Sequence, residues 1–251
     1  MSSTILDPAS APQAGGRGVL ESAFALLGAL EQTGAAGVTR LAAECGLPKT
    51  TAHRLLEQLS SLGAVERSRG GYRIGARVFQ LGHSWQPYRA LRAAVREPMR
   101  RLAAATGVTV TVNVLRNGED MIVDWTAGRD GLPVPLRSGG TWPWNTAAGK
   151  ALAAGRHAGT TDSSPRIPFP ASASWRREVA TIRERGVAFD REEVVSGVCC
   201  AAVPLHGAPG TPIAALCVIT DPSHNLDRLA GALQNAGRAA GAALRESPSG
   251  T

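Results

Sequence analysis

The chain has 251 residues, 43% of them hydrophobic and 4% aromatic, which is enough for one or two domains with ordinary cores. A formal charge of +7 permits a polyanionic partner and excludes an acidic solvating protein. Cys45, Cys199, Cys200 and Cys217 form no CxxC pair, no apolar run reaches the ~18 residues of a membrane helix, and Met1–Gly16 has neither basic leader nor apolar core. A soluble protein of a reduced cytoplasm is expected.

In chain order, residues 1–17 are rich in Ala, Ser, Pro and Gly and read as a flexible arm. Val19–Glu31 sets Leu20, Phe24, Leu27 and Leu30 at helical spacing. Val38–Cys45 follows as a short helix with Thr39 near its start as a cap. Gly46-Leu47-Pro48 stops it, because Gly accepts left-handed geometry and Pro suits the opening of the next helix.

That next helix carries Ala52, Leu55, Leu56, Leu59 and Leu62 in one apolar stripe. Thr50, His53, Arg54, Glu57 and Ser61 project from the other side, with Lys49 near the amino end. Ala64–Arg67 and Tyr72–Ile74 then read as two strands joined by Ser68-Arg69-Gly70-Gly71. Arg67, Arg69 and Arg73 ring the tip of this hairpin. Between Arg40 and Arg77 stand seven basic and three acidic residues, and their placement on the outward face and tip favours duplex DNA over a plain surface hairpin. The candidate DNA contacts are Thr39, Arg40, Lys49, Thr50, Thr51, His53, Arg54, Arg67, Arg69 and Arg73. Lys49 and Arg54 are the preferred phosphate contacts.

Gly75–Gln86 suggests a short helix, and Tyr88–Thr106 a second one with Leu91, Val95, Met99 and Leu102 inward. Pro98 predicts a kink or a fresh start within it. From Gly107 the period becomes two: Val108, Val110, Val112 and Val114 alternate with Thr and Asn. Asn117-Gly118 then turns the chain into Met121–Thr126. Leu132–Arg137 is expected as a third strand. Asn145 or Thr146 caps a helix over Ala147–Ala154, and Arg156–Ser174 is a long loop. Trp175–Arg185 is a helix, and Val187–Asp190, Val198–Leu205 and Pro212–Thr220 are strands, the last two joined by a Gly/Pro-rich turn. Asn225–Arg245 is a final helix and 247–251 a tail. Such mixing predicts an α+β domain on an antiparallel sheet.

Three stretches, GLPKTTAHRLLEQLSSLGAVER with GGYRIG, then TAAGKALAA, then GVAFDREEVVSGVCCAAVP, resemble the IclR family of bacterial transcriptional regulators, in the family's order. The resemblance implies an N-terminal, mainly α winged helix-turn-helix over 18–80. It also implies a linker helix over 81–106 and a C-terminal α+β, GAF-like effector-binding domain with an antiparallel sheet over 107–246. It implies a homodimer or dimer of dimers on a palindromic operator in double-stranded DNA, answering to a small carboxylate or aromatic metabolite. Asp190 and Cys200 match positions that line the family's pocket. Trp144 stands where relatives carry His, Cys217 and Ile219 stand where they often carry Ser-x-Ser, and Cys199-Cys200 replaces Arg-Cys. These changes suggest a less polar pocket.

The candidate effector contacts are therefore Trp144, Asn145, Thr146, Asp190, Cys200, Cys217 and Ile219. For Trp144, a shelf facing the ligand and a packing plug stand level. The five histidines are scattered without ligand spacing, so no metal or other cofactor is expected. Two rival readings remain: an enzyme using Cys199 or Cys200 as a nucleophile, which no cysteine-histidine-acid spacing supports, and a DNA-associated protein that ignores small ligands.

Overall fold

The computed structural model describes residues 18–84, 88–131, 134–155, 172–206 and 212–246. The expected arm, the start of the third strand, most of the long loop, the turn after His206 and the tail lie outside the described residues. The chain divides into two compact units, Met1–Pro87 and Tyr88–Thr251.

The first unit contains α1 (Val19–Thr33), β1 (Ala35–Ala36), α2 (Val38–Cys45), α3 (Lys49–Ser61), β2 (Val65–Ser68), β3 (Gly71–Ile74) and α4 (Ala76–Ser84). Leu26, Leu30, Leu41, Leu55, Leu56, Val65 and Tyr72 form its core. Each fully buried leucine contributes roughly 2 kcal/mol.

α1 turns a different side inward from the one its spacing suggested. Ser22, Leu26 and Leu30 are buried, whereas Leu20 and Phe24 are 75% and 72% exposed. The helix is apolar on almost every side, so its period does not choose a face.

α2 is capped by the extended Gly37, not by Thr39, which sits inside the helix and bonds to no orphan amide. Gly46 closes it in the left-handed region at φ 63°. α3 ends at Ser61, which leaves Leu62 outside the apolar stripe and 70% exposed. β1 adds a strand that sequence spacing did not reveal: the antiparallel sheet has the order β1-β3-β2.

The second unit contains α5 (Arg89–Thr106), β4 (Thr109–Arg116), β5 (Glu119–Thr126), β6 (Thr141–Pro143), α6 (Ala147–Gly155), α7 (Ala173–Arg185), β7 (Ala188–Arg191), β8 (Cys199–Leu205), β9 (Ala214–Thr220) and α8 (Leu226–Glu246). Its six strands form one antiparallel sheet in the order β6-β5-β4-β9-β8-β7.

α5 runs unbroken through Pro98, with no fresh start there. Leu91 and Val95 before the proline, and Met99 and Leu102 after it, are buried in one core with the valines of β4. Asn117 and Gly118, at φ 52° and 88°, make the tight β4–β5 turn. The third strand is Thr141–Pro143, paired to β5 through Met121↔Thr141, and Val134–Arg137 is irregular. α7 begins two residues before Trp175, because Ser172 accepts from the Trp175 amide at 3.2 Å and caps it.

Because strand side chains alternate, the sheet has two different faces. Val110, Val112, Ala201, Val203, Leu216 and Val218 face α5 and α8. Ala202, Cys200, Cys217 and Ile219 turn to the opposite, inner face, which α6 covers.

Candidate functional site

In the first unit the candidate surface is built on α3. Ala52, Leu55 and Leu56 lock its apolar side into the core, and Lys49, Thr50, His53 and Arg54 are left exposed with Thr51 half-buried. Lys49 and Arg54 carry no ion pair among the described residues. On α2, Thr39 is exposed and Arg40 is held by Glu44 at 2.7 Å.

The arginines of the hairpin do not ring its tip. The register pairs Arg67 with Tyr72 and Glu66 with Arg73, so Arg67 and Arg73 lie on opposite faces, and Arg69 alone occupies the turn. Arg67 donates to Glu57 of α3 at 2.7 Å, and the Tyr72 hydroxyl donates to the same oxygen at 2.7 Å. These hydrogen bonds, first from Tyr72 and then from Arg67, hold the Glu57 carboxyl below its ordinary range. Arg73 pairs with Glu66 at 3.0 Å. Each of these arginines keeps more than half of its side chain in solvent.

In the second unit the inner face gathers Thr146, Asp190, Cys200, Cys217 and Ile219, the last four of them buried. Thr146 caps α6 by accepting from the Gly149 amide at 3.1 Å. Asp190 accepts from the Glu193 amide at 2.8 Å, and burial pushes its carboxyl upward. Cys217 donates to the Val218 carbonyl at 3.5 Å. Its hydrogen bond with Cys200, followed by burial, raises its thiol well above the usual range. Burial likewise raises Cys199, which faces the other core. Thiols held neutral in this way are poor nucleophiles. Trp144 packs edge-on against Trp175 of α7, with ring centroids 5.1 Å apart, and Asn145 is half-buried.

Two buried polar groups escaped sequence reading. Asp120 of β5 accepts from Asn113 at 2.9 Å and from Thr146 at 2.6 Å, while Thr111 donates to Asn113 at 2.6 Å. Burial pushes the Asp120 carboxyl up to about 6 against those two bonds. Lys150 of α6 reaches Glu178 of α7 at 2.9 Å, Glu193 at 2.5 Å and the Phe189 carbonyl at 3.2 Å. Burial opposes the Lys150 charge, yet the two carboxylates outweigh it and hold the ammonium above its ordinary range. The available signal was the alternation of Thr109, Thr111 and Asn113 with the valines, which marks a polar inner row.

The comparisons agree with this architecture. The family model for the IclR helix-turn-helix domain matches residues 19–69, and that for the bacterial transcriptional regulator IclR C-terminal domain matches residues 88–244. The chain is 30% identical over 207 residues to the transcriptional repressor IclR of Escherichia coli K12, covering 75% of this chain and 74% of that protein. It is 30% identical over 190 residues to the glycerol operon regulatory protein of Streptomyces coelicolor, covering 72% and 75%.

Among solved structures, Thermotoga maritima IclR superposes with a TM-score of 0.68 at 21% identity, covering 90% of this chain and 98% of that one. An IclR homolog from Microbacterium hydrocarbonoxydans, complexed with 4-hydroxybenzoate, gives 0.72 at 21% identity, covering 90% and 100%. The relatives are named repressors and regulators, which sets aside the nucleophilic-cysteine enzyme. With a helix-turn-helix unit and a C-terminal effector domain matched along its length, this chain belongs to the IclR family of bacterial DNA-binding transcriptional regulators.

Proposed function

We propose that this regulator is a repressor that binds a palindromic operator in the cytoplasm and loses or gains operator affinity when a small metabolite occupies the inner face of its second unit. Residues 18–80 serve as the reading head and 107–246 as the effector domain, and the linker over 81–106 holds the end of α4 and all of α5 in place of the single expected helix. Lys49, Thr50, His53 and Arg54 meet base edges and phosphates, with Arg69 reaching the flanking backbone. The observation that supports this most directly is α3 itself: an exposed polar side whose Lys49 and Arg54 carry no ion pair among the described residues, on a helix whose other side is locked into the core.

The working species is a homodimer or a dimer of dimers. Val19, Leu20 and Phe24 on α1 and Phe79 and Leu81 on α4 leave large apolar side chains in water on the first unit, which a second copy would cover. The effector is small and largely apolar, aromatic or carboxylate-bearing, because Cys200, Cys217, Ile219 and neighbouring alanines dominate the inner face. The related 4-hydroxybenzoate complex supports an aromatic acid.

The test is selection of bound duplexes from a random pool, followed by gel-shift titration with and without candidate metabolites. The expected product is an inverted repeat with half-sites about one helical turn, ~10 base pairs, apart. A pool that enriches no sequence at low salt sinks the reading. Transcription from the selected operator in vitro separates repression from activation.

A further inference from the structure

A hollow of about 460 Å3 opens where β8 outruns its edge neighbour. Pairing with β7 ends at Ala188↔Ala202, whereas β8 continues to Leu205. One side of α8, from Gln234 to Arg245, forms the other wall. Its volume falls within the roughly 300–1,000 Å3 of small-molecule sites.

Three basic side chains, His206, Arg238 and Arg245, line this hollow, and among the described residues no carboxylate does. Arg245 folds back along α8: its Nη1 lies 3.5 Å from where a Cβ on Gly241 would stand. Arg238, three residues before Gly241 on α8, donates its Nη2 to the Asn235 side chain. The fork of Arg245, with the Arg238 N–H donors that Asn235 does not take, suits a carboxylate, which a guanidinium binds through paired N–H donors.

The floor has a different character. Val203 and Pro204 supply apolar surface, and Gly237 lets α8 approach so closely that a Cβ there would meet a Val203 methyl at 2.8 Å. Gly241, by contrast, has ordinary room for a Cβ, which would touch Arg245 Nη1 at 3.5 Å and the His206 carbonyl oxygen at 3.6 Å. Pro204 also removes an edge N–H, which disfavours an added β-strand as the occupant.

We propose that this groove is a second ligand site, for a small carboxylate with an apolar body, separate from the inner face. The carboxylate meets Arg238 and Arg245 while the body rests on Val203 and Pro204. Nothing in this assignment depends on the operator or on the effector proposed above.

Calorimetric titration of the full chain with benzoate, and with the neutral isostere benzamide, tests it. Two variants are needed: Arg238→Gln with Arg245→Gln removes charge and keeps shape, and Gly241→Leu fills the space and keeps charge. Both should weaken benzoate binding roughly tenfold or more, with melting temperature unchanged, and benzamide should bind far more weakly than benzoate. The site is overturned if benzoate at millimolar concentration gives no heat, if either variant binds it like the parent, or if benzamide matches it. A change of oligomeric state in Gly241→Leu by light scattering overturns it too, marking the groove as a contact between copies.

Discussion

Thr146 donates its hydroxyl to Asp120 at 2.6 Å while accepting the Gly149 amide at 3.1 Å, so the first turn of α6 hangs from a carboxyl buried in β5. Burial raises that carboxyl from 3.8 to about 6. A raised acid favours the folded state at pH values below about 4, and that contribution fades as pH climbs through about 6. The gap between the two values corresponds to roughly 3 kcal/mol. Asp120→Asn, which cannot titrate, should therefore gain stability relative to the parent between pH 4 and 7. Denaturant melts across that window check it, and a stability difference that stays flat rules out titration of Asp120.

Lys150 binds two carboxylates from separate elements, Glu178 and Glu193, while its own side chain is 3% exposed. Lys150→Met keeps most of the volume and removes the charge. Because both glutamates retain solvent, the expected loss is roughly 3 kcal/mol, the low end for breaking a buried pair. Urea melts should show that loss, and the Glu193→Gln variant should lose clearly less, since Glu178 remains.

Gly149 sits inside α6 where a Cβ would lie 2.0 Å from the Trp144 carbonyl oxygen. Backbone on both sides leaves nothing to rotate away. Gly149→Ala should cost about 3 kcal/mol or more through forced overpacking, although Ala is the better helix former elsewhere. A thermal melt equal to the parent's would show that the 142–146 segment can shift.

For DNA, Arg69→Ala removes the arginine at the hairpin turn, and Arg54→Ala one from α3, neither of them in an ion pair among the described residues. Each should weaken operator binding and lower the slope of log affinity against log salt by about 1. Arg67→Ala should weaken binding less, because that side chain is already committed to Glu57. Gel-shift titrations at several salt concentrations decide between them, and equal effects at all three positions contradict the assignment.

How much of this the sequence disclosed depends on the range of the interaction. The α2–α3 corner and the Asn117-Gly118 turn were readable because Gly and Pro set local backbone geometry. The valine rows of β4 were readable because the strand period is two. The buried side of α1 was not, since Leu20, Phe24, Leu26 and Leu30 offer competing stripes. Lys150 and Asp120 were invisible for another reason. Charged residues read as exposed, and the partners that make their burial tolerable lie 43 and 26 residues away, at Glu193 and Thr146. Among the candidate effector residues, Asp190, Cys200, Cys217 and Ile219 share one face because strand alternation placed them there, whereas Trp144 finds its ring partner on a helix whose position no local pattern encodes.

Glu57 receives both Arg67 and the Tyr72 hydroxyl, which ties the hairpin to α3. Hairpin and helix would then meet a groove together. In the proposed dimer, a metabolite would govern occupancy by changing the span between two such heads, as a caliper does, and inserting or deleting base pairs between half-sites should matter more than lengthening either half-site.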